Sequence, residues 1–226
     1  MEDVELIETR LDNVFILVDN ASKKLITRNL TPGIQVYGEK LISVKNVEYR
    51  QWDPYRSKLA SMILKGSSIS LKKDGEVLYL GAANGTTASH VSDIVSLGAV
   101  FAVEISPRAM HDLIRVSIPR MNLIPILSDA AHPNSYKNMV TQVDFLYQDV
   151  AQREQAKIAI RNTELFLKKD GIMVLIIKSR SIDSAKKPKE VIDNEINKLG
   201  GFFRVLELID LEPYHSDHMA VMARKM

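Results

Sequence analysis

Cysteine is absent from the 226 residues, which excludes disulfides, thiolate metal ligands and thiol nucleophiles. No apolar run approaches the roughly 20 residues needed to cross a bilayer, so no membrane span is expected. The opening stretch MEDVELIETR is charged from its second residue and lacks the apolar centre of a secretory signal. Net charge is scarce too, at +2 with a pI near 8.6, too little by itself to argue for nucleic acid. The G-x-G-x-x-G spacing of dinucleotide-binding turns is missing, and no internal repeat or low-complexity segment is evident. These absences point to a soluble intracellular protein. With 46% hydrophobic residues the chain can bury a full core, most simply as one α/β domain with a small appendage.

What is present centres on residues 76–95. Glu76-Val-Leu-Tyr-Leu80 reads as a short buried strand, and Ala88, Val91, Ile94 and Val95 recur at helical spacing. Between them Gly81 and Gly85 allow a tight turn and close approach to a bound group, with free N–H donors of a helix start behind. This is the turn that cradles a nucleotide at the opening of a Rossmann-like sheet.

Residues 1–52 form an expected small β-rich domain and residues 53–226 the main one. In the first, Val14–Val18 and Lys24–Thr27 flank a turn at Asp19-Asn20-Ala21-Ser22, with short extended pieces at Val36-Tyr37, Leu41–Val44 and Val47–Tyr49. It carries no catalytic pattern, and a structural cap is favoured over a binding module. Asp53-Pro54 is a helix start, with Lys58 in the first turns. Strands are expected at 76–80, 99–103, 123–127, 143–148 and 171–177, and helices at about 86–97, 108–117, 134–140, 152–167 and 188–198. Strands near 202–210 and 219–224 are joined too briefly for a helical crossover, so they pair as an antiparallel hairpin. The alternation argues an α/β, mostly parallel sheet, and the terminal hairpin resembles the S-adenosylmethionine-dependent methyltransferase fold more than a dehydrogenase.

Such sheets bind ligands at the carboxyl ends of their strands. Gly81, Glu104, Asp129, Asp149 and Lys178 follow successive strands, so residues spaced 23, 25, 20 and 29 apart gather in one crevice. Glu104 can accept from a ribose diol, as in sites for either NAD or S-adenosylmethionine. Asp129, before Ala130-Ala131, can bond an adenine amino group, which suits the methyl donor better. The stretch 178–189 carries five cations against one acid; a solvated loop is the usual reading, but its place at the mouth of the crevice suits RNA phosphates. His215, Asp217 and His218 are too few for a metal site, and none is expected. His90 and His111 read as packing or surface residues on helices, and His132 as part of a turn before Pro133.

Several segments together carry a family resemblance: WDPYRSKLAS, VLYLGAANGTTASHVSD, AVEISPR, QDVAQ, IIKSRSID and LEPYHSDH, in that order. The sequence resembles fibrillarin, the ribose 2′-O-methyltransferase family of box C/D ribonucleoproteins, over essentially its whole length. Asn84 stands where serine is common and Arg153 where proline often follows, and neither change removes a functional group. The glycine–arginine-rich tail of eukaryotic members is absent, which implies an archaeal-type, cytoplasmic member. Beside the glycine turn at Gly81, Ala83 and Gly85, the resemblance implies a donor site for S-adenosyl-L-methionine at Thr86 and Thr87, Glu104 and Ile105, Asp129 and Ala130, and at Asp149, Val150, Ala151 and Gln152. It implies a catalytic tetrad of Lys58, Asp149, Lys178 and His218, while the basic run at the mouth of the crevice offers Arg180, Lys186, Lys187 and Lys189 as RNA contacts. Implied partners are a Nop-type scaffold, a kink-turn-binding ribosomal-protein-like subunit, box C/D guide RNA and target rRNA or tRNA.

Lys178 is a candidate general base or, if it stays charged, a stabiliser of a developing alkoxide. Two other classes compete with the transferase reading. A catalytically idle ribonucleoprotein subunit is disfavoured because all four tetrad positions are filled, and an NAD-dependent oxidoreductase by the glycine spacing and terminal hairpin.

Overall fold

The structure is a computed structural model that describes residues 4–19 and 22–226. The first five strands, β1 (Val4–Glu8), β2 (Val14–Asp19), β3 (Ser22–Arg28), β4 (Leu41–Val44) and β5 (Val47–Gln51), make one antiparallel sheet in the order β1-β2-β3-β5-β4. Leu17, Ile26 and Tyr49 are its buried centre. The hairpin expected around Asp19 is the β2–β3 pair; its Asn20 and Ala21 lie outside the described residues. Val36-Tyr37 is a bend rather than a strand, its N–H groups donating to the Glu39 carboxylate, and β1 had no sequence expectation.

The second sheet holds β6 (Glu76–Leu80), β7 (Ala99–Glu104), β8 (Leu123–Leu127), β9 (Val143–Gln148), β10 (Leu167–Lys178), β11 (Phe203–Asp210) and β12 (His218–Lys225). Its order is β11-β12-β10-β9-β6-β7-β8; β6 to β10 run parallel, and β12 is antiparallel to both of its neighbours. Alternation along the strands feeds two cores. Val77, Tyr79, Ala102, Tyr147 and Val174 face one side, while Leu78, Leu80, Val103, Leu146 and Leu175 face the other. The first side is covered by α1 (Lys58–Leu64), α2 (Thr86–Ile94) and α3 (Pro107–Ser117), the second by α4 (Gln155–Phe166) with the end of α6 (Pro188–Lys198), which follows the one-turn α5 (Ser179–Ile182). After β8 the chain crosses to the far side of β6 to form β9, so the sheet opens a crevice beyond the carboxyl ends of β6 and β9.

Two helix expectations need correction. The first helix starts at Lys58, not Asp53, because the Ser57 hydroxyl accepts from the Ala60 N–H and caps it there. The helix expected over 134–140 is a single 3₁₀ turn, Pro133–Ser135; Tyr136 leaves it to stack on Phe166 and donate to the Asn162 side chain. α2 and α4 also fall short of the expected 86–97 and 152–167.

The sheets are joined by a buried polar network around Asp93, on α2. One carboxylate oxygen accepts from Arg50 at 2.8 Å and from the Thr27 hydroxyl at 2.9 Å; the other accepts from Arg120 at 2.6 Å and from the Leu30 N–H at 3.1 Å. Glu39 takes the remaining face of Arg50 at 2.6 Å. His90 sits between Thr27 and Tyr37 with Trp52 stacked on its ring, and burial, then Arg50 and Arg120, hold its pKa well below the usual imidazole value.

Candidate active site

The glycine turn after β6 is required by both backbone and space. Gly81 has φ +82°, and a Cβ there would stand 2.9 Å from the Asp149 carbonyl oxygen. The backbone of β6 can therefore approach the end of β9 closely, and the Asp149 N–H donates to the Leu80 carbonyl at 2.9 Å. A cleft of about 350 Å³ opens at this junction, lined by Gly81, Ala83, Glu104, Ile105, Asp129, Ala130, Asp149, Val150, Ala151, Gln152 and Lys178, with Val103 and Ser128 besides. Val103 and Ser128 are the two lining residues that the sequence did not single out. A hollow of about 490 Å³ lies at the opposite, amino-terminal end of the strands, and none of the strand-end residues lines it.

Glu104 is buried and already held: its two oxygens accept from the N–H groups of Ala83 and Ser106, each at 2.8 Å. A carboxylate oxygen has a second lone pair, so a fixed Glu104 can still accept a diol. Asp129 Oδ1 accepts from the Ala131 N–H at 2.9 Å and from Gln152 Nε2 at 2.8 Å. Burial acts against its charge, but the bonds from Gln152 and Ala131 outweigh it and the pKa lies below the ordinary carboxylate value. The Gln152 side-chain oxygen is buried with no partner among the described residues. Adenosine, with a ribose diol and an exocyclic amine, would complement these open acceptors, so the residues present fit S-adenosylmethionine.

Gly85, Thr86 and Thr87 do not line the cleft. Gly85 caps α2 in the left-handed region, against Leu113 and Val116. Thr86 faces a separate hollow beside Tyr37 and Arg115, and the Thr87 hydroxyl donates to Ser57 Oγ at 3.0 Å. Thr87 thus supports the cap of the helix that begins with Lys58.

The tetrad residues converge around Asp149. Lys58 Nζ lies 3.1 Å from Oδ2 and Lys178 Nζ 2.7 Å from Oδ1, and Lys178 also donates to the Asp149 carbonyl at 2.8 Å. The buried Gln155 fixes the end of β10, accepting the Lys178 N–H at 2.9 Å. Lys178 and His218 pair across β10 and β12. His218 Nδ1 lies 2.6 Å from the Ser216 carbonyl, which requires a proton on Nδ1 and leaves the lone pair on Nε2. Burial lowers the His218 pKa, the Ser216 bond opposes this, and Lys58 lowers it further, so the ring is held below the usual imidazole value. Arg180 is exposed and bonds Asp217 at 2.9 Å; Lys186 and Lys187 are exposed on the loop into α6 and Lys189 in its first turn, with Lys186 3.8 Å from Glu190.

Strand order, the glycine turn and acids at the carboxyl ends of β7 and β8 together define a Rossmann-like methyltransferase. A family model described as Fibrillarin matches residues 6–226. A fibrillarin-like rRNA/tRNA 2′-O-methyltransferase of Methanosarcina barkeri is 54% identical over 217 residues, covering 94% of this chain and 96% of that protein. The solved structure of Aeropyrum pernix fibrillarin with natively bound S-adenosyl-L-methionine has a TM-score of 0.88 and 42% identity, covering 99% of this chain and 100% of that one. A fibrillarin/Nop5p complex matches with a TM-score of 0.87 and 42% identity, covering 95% of this chain and 98% of that one. The chain belongs to the fibrillarin family.

Proposed function

We propose that this chain transfers the methyl group of S-adenosylmethionine to a ribose 2′-hydroxyl of rRNA or tRNA, on a target selected by a box C/D guide RNA. The observation that carries the reading is Asp149 bridging Lys58 and Lys178 at the mouth of the donor cleft, with His218 opposite. The names of its relatives, and bound S-adenosylmethionine in the Aeropyrum pernix structure, support the same activity. A Nop-type scaffold is a partner by analogy with the fibrillarin/Nop5p complex. A kink-turn-binding ribosomal-protein-like subunit completes the assembly on family resemblance.

Bound S-adenosylmethionine supplies an electrophilic methyl carbon on a sulfonium centre. The protein's task is then alignment and proton removal. Glu104, Asp129 and Gln152 hold the adenosine end, while the turn at Gly81 lets the backbone come close. Alignment of reacting atoms contributes up to roughly 7–11 kcal/mol in well-oriented systems. Lys178, anchored on Asp149 through two contacts, faces the developing alkoxide as an ammonium and stabilises its charge. The acceptor proton passes to His218 Nε2, whose lone pair is free because Nδ1 is committed to Ser216. Lys58 orients the acceptor from the far side of Asp149. Lys178 as general base is the second reading, favoured by its place inside the cleft.

Lys186, Lys187 and Lys189 contact RNA phosphates, which positions the strand without reading its sequence. Pairing to the guide supplies the choice of nucleotide. The test is methyl transfer from labelled S-adenosylmethionine to target RNA, by the purified chain and by the reconstituted complex. Efficient transfer by the complex and poor transfer by the chain alone support the reading. A complex that binds the donor but transfers nothing identifies an idle subunit.

A further inference from the structure

The donor cleft includes Asp149 and Lys178 but neither Lys58 nor His218, so these two mark the side from which an acceptor approaches. Two loops frame that side, 53–57 ahead of α1 and 211–217 between β11 and β12. The second loop is fastened at three points, two on the first loop and one on Lys65 at the end of α1. His215 Nε2 donates to the Pro54 carbonyl at 2.8 Å, the Tyr55 and Tyr214 rings meet edge to face with centroids 5.1 Å apart, and Lys65 donates to the Glu212 carbonyl at 2.6 Å. The fastening accounts for the half-buried Tyr214. It leaves Tyr55 unexplained, because that side chain is 64% exposed three residues ahead of Lys58.

Arg56 stands beside it. Its guanidinium lies over the Tyr37 ring at 5.7 Å, its nearest acid is Asp53 at 3.9 Å, and its side chain is 60% exposed. A held aromatic ring and a cation loosely paired with Asp53 and the Tyr37 carbonyl are therefore neighbours in the loop that leads into Lys58. An A-form duplex displays riboses and 2′-hydroxyls in a wide, shallow minor groove, which a ring can meet without extruding a base. A tyrosine offers that contact at low entropy cost, having only two side-chain torsions to fix.

We propose that Tyr55 and Arg56 form a contact for the sugar–phosphate backbone of the strand being methylated, Tyr55 against a ribose flanking the target and Arg56 on a phosphate. Tyr214 and His215 are positioning residues that hold this contact against Lys58 and His218. The proposal rests on the RNA methylation reading above and adds to it where the acceptor strand lies.

The experiment uses the complex reconstituted with guide RNA. Tyr55→Ala should raise the KM for target RNA about tenfold, a loss of about 1.4 kcal/mol, with kcat and donor affinity close to unchanged. Arg56→Gln should reduce the slope of log affinity against log salt by about one, while Tyr55→Ala leaves that slope alone. A photo-reactive benzoylphenylalanine in place of Tyr55 should cross-link to the target strand. If Tyr55→Ala lowers kcat at unchanged KM, or the cross-link forms only within protein while methylation proceeds, the pair merely fastens loops and the proposal is wrong. Cross-linking to target without methyl transfer by the unsubstituted protein would uphold the contact and remove the activity.

Discussion

Lys178 and His218 stand directly opposite one another where β10 pairs with β12, and Asp149 at the end of β9 holds the Lys178 ammonium at 2.7 Å. On the proposed mechanism, the hairpin that closes the sheet serves the chemistry as well as the architecture. It brings an imidazole to a lysine 40 residues earlier in the chain.

Lys178→Ala removes the ammonium from the reacting centre but leaves Glu104, Asp129 and Gln152 in place. Single-turnover methyl transfer in the assembled complex should fall by about 100-fold or more, with calorimetric donor affinity nearly intact. A loss below about tenfold, equivalent to about 1.4 kcal/mol, would exclude a central role.

With His218 as proton acceptor, activity requires its neutral form. Its pKa is lowered, so the neutral form persists below the ordinary imidazole value of about 6.5, and kcat/KM should decline only at pH values beneath that. His218→Gln should abolish this acid limb in the pH profile. An alkaline inflection that survives the substitution would assign proton removal to Lys178.

Asp129→Ala takes away a partner of Gln152 and an acceptor lining the cleft. Donor binding should weaken by about 1–3 kcal/mol if a buried hydrogen bond is lost. Unchanged affinity in a folded variant would remove Asp129 from the donor site.

Much of this arrangement is legible in the sequence because strand periodicity is strong and topology gathers strand ends. Gly81, Glu104, Asp129, Asp149 and Lys178 all line the cleft as their places after successive strands imply. Local rules fail where partners are distant in sequence. No sequence pattern singles out Asp93, yet it binds Arg50 and Arg120, 43 and 27 residues away. Thr86 and Thr87, which the family resemblance assigns to the donor site, do not line the cleft: Thr86 lies beside Tyr37 and Thr87 bonds Ser57. The 134–140 segment carries helical spacing that is overridden once Tyr136 packs on Phe166.

The Asp93 network gives a stability prediction. Asp93→Ala leaves Arg50 and Arg120 buried without their shared carboxylate, and should cost about 3–5 kcal/mol in denaturant unfolding. His90 adds a pH dependence. Because its folded pKa is depressed, the unfolded chain binds a proton that the folded chain refuses, so stability falls as pH drops through about 6.5, by up to about 1.4 kcal/mol per pH unit. A flat unfolding free energy between pH 7 and pH 5 would contradict this.

A single ribose hydroxyl is the proposed methyl acceptor. The most direct measurement compares two target RNAs in the reconstituted complex with labelled S-adenosylmethionine, identical except for a single 2′-deoxy substitution at the nucleotide the guide addresses. Label is expected on the all-ribose target, at that 2′-oxygen, and none on the deoxy target. Equal labelling of both RNAs would place the methyl group elsewhere and contradict it.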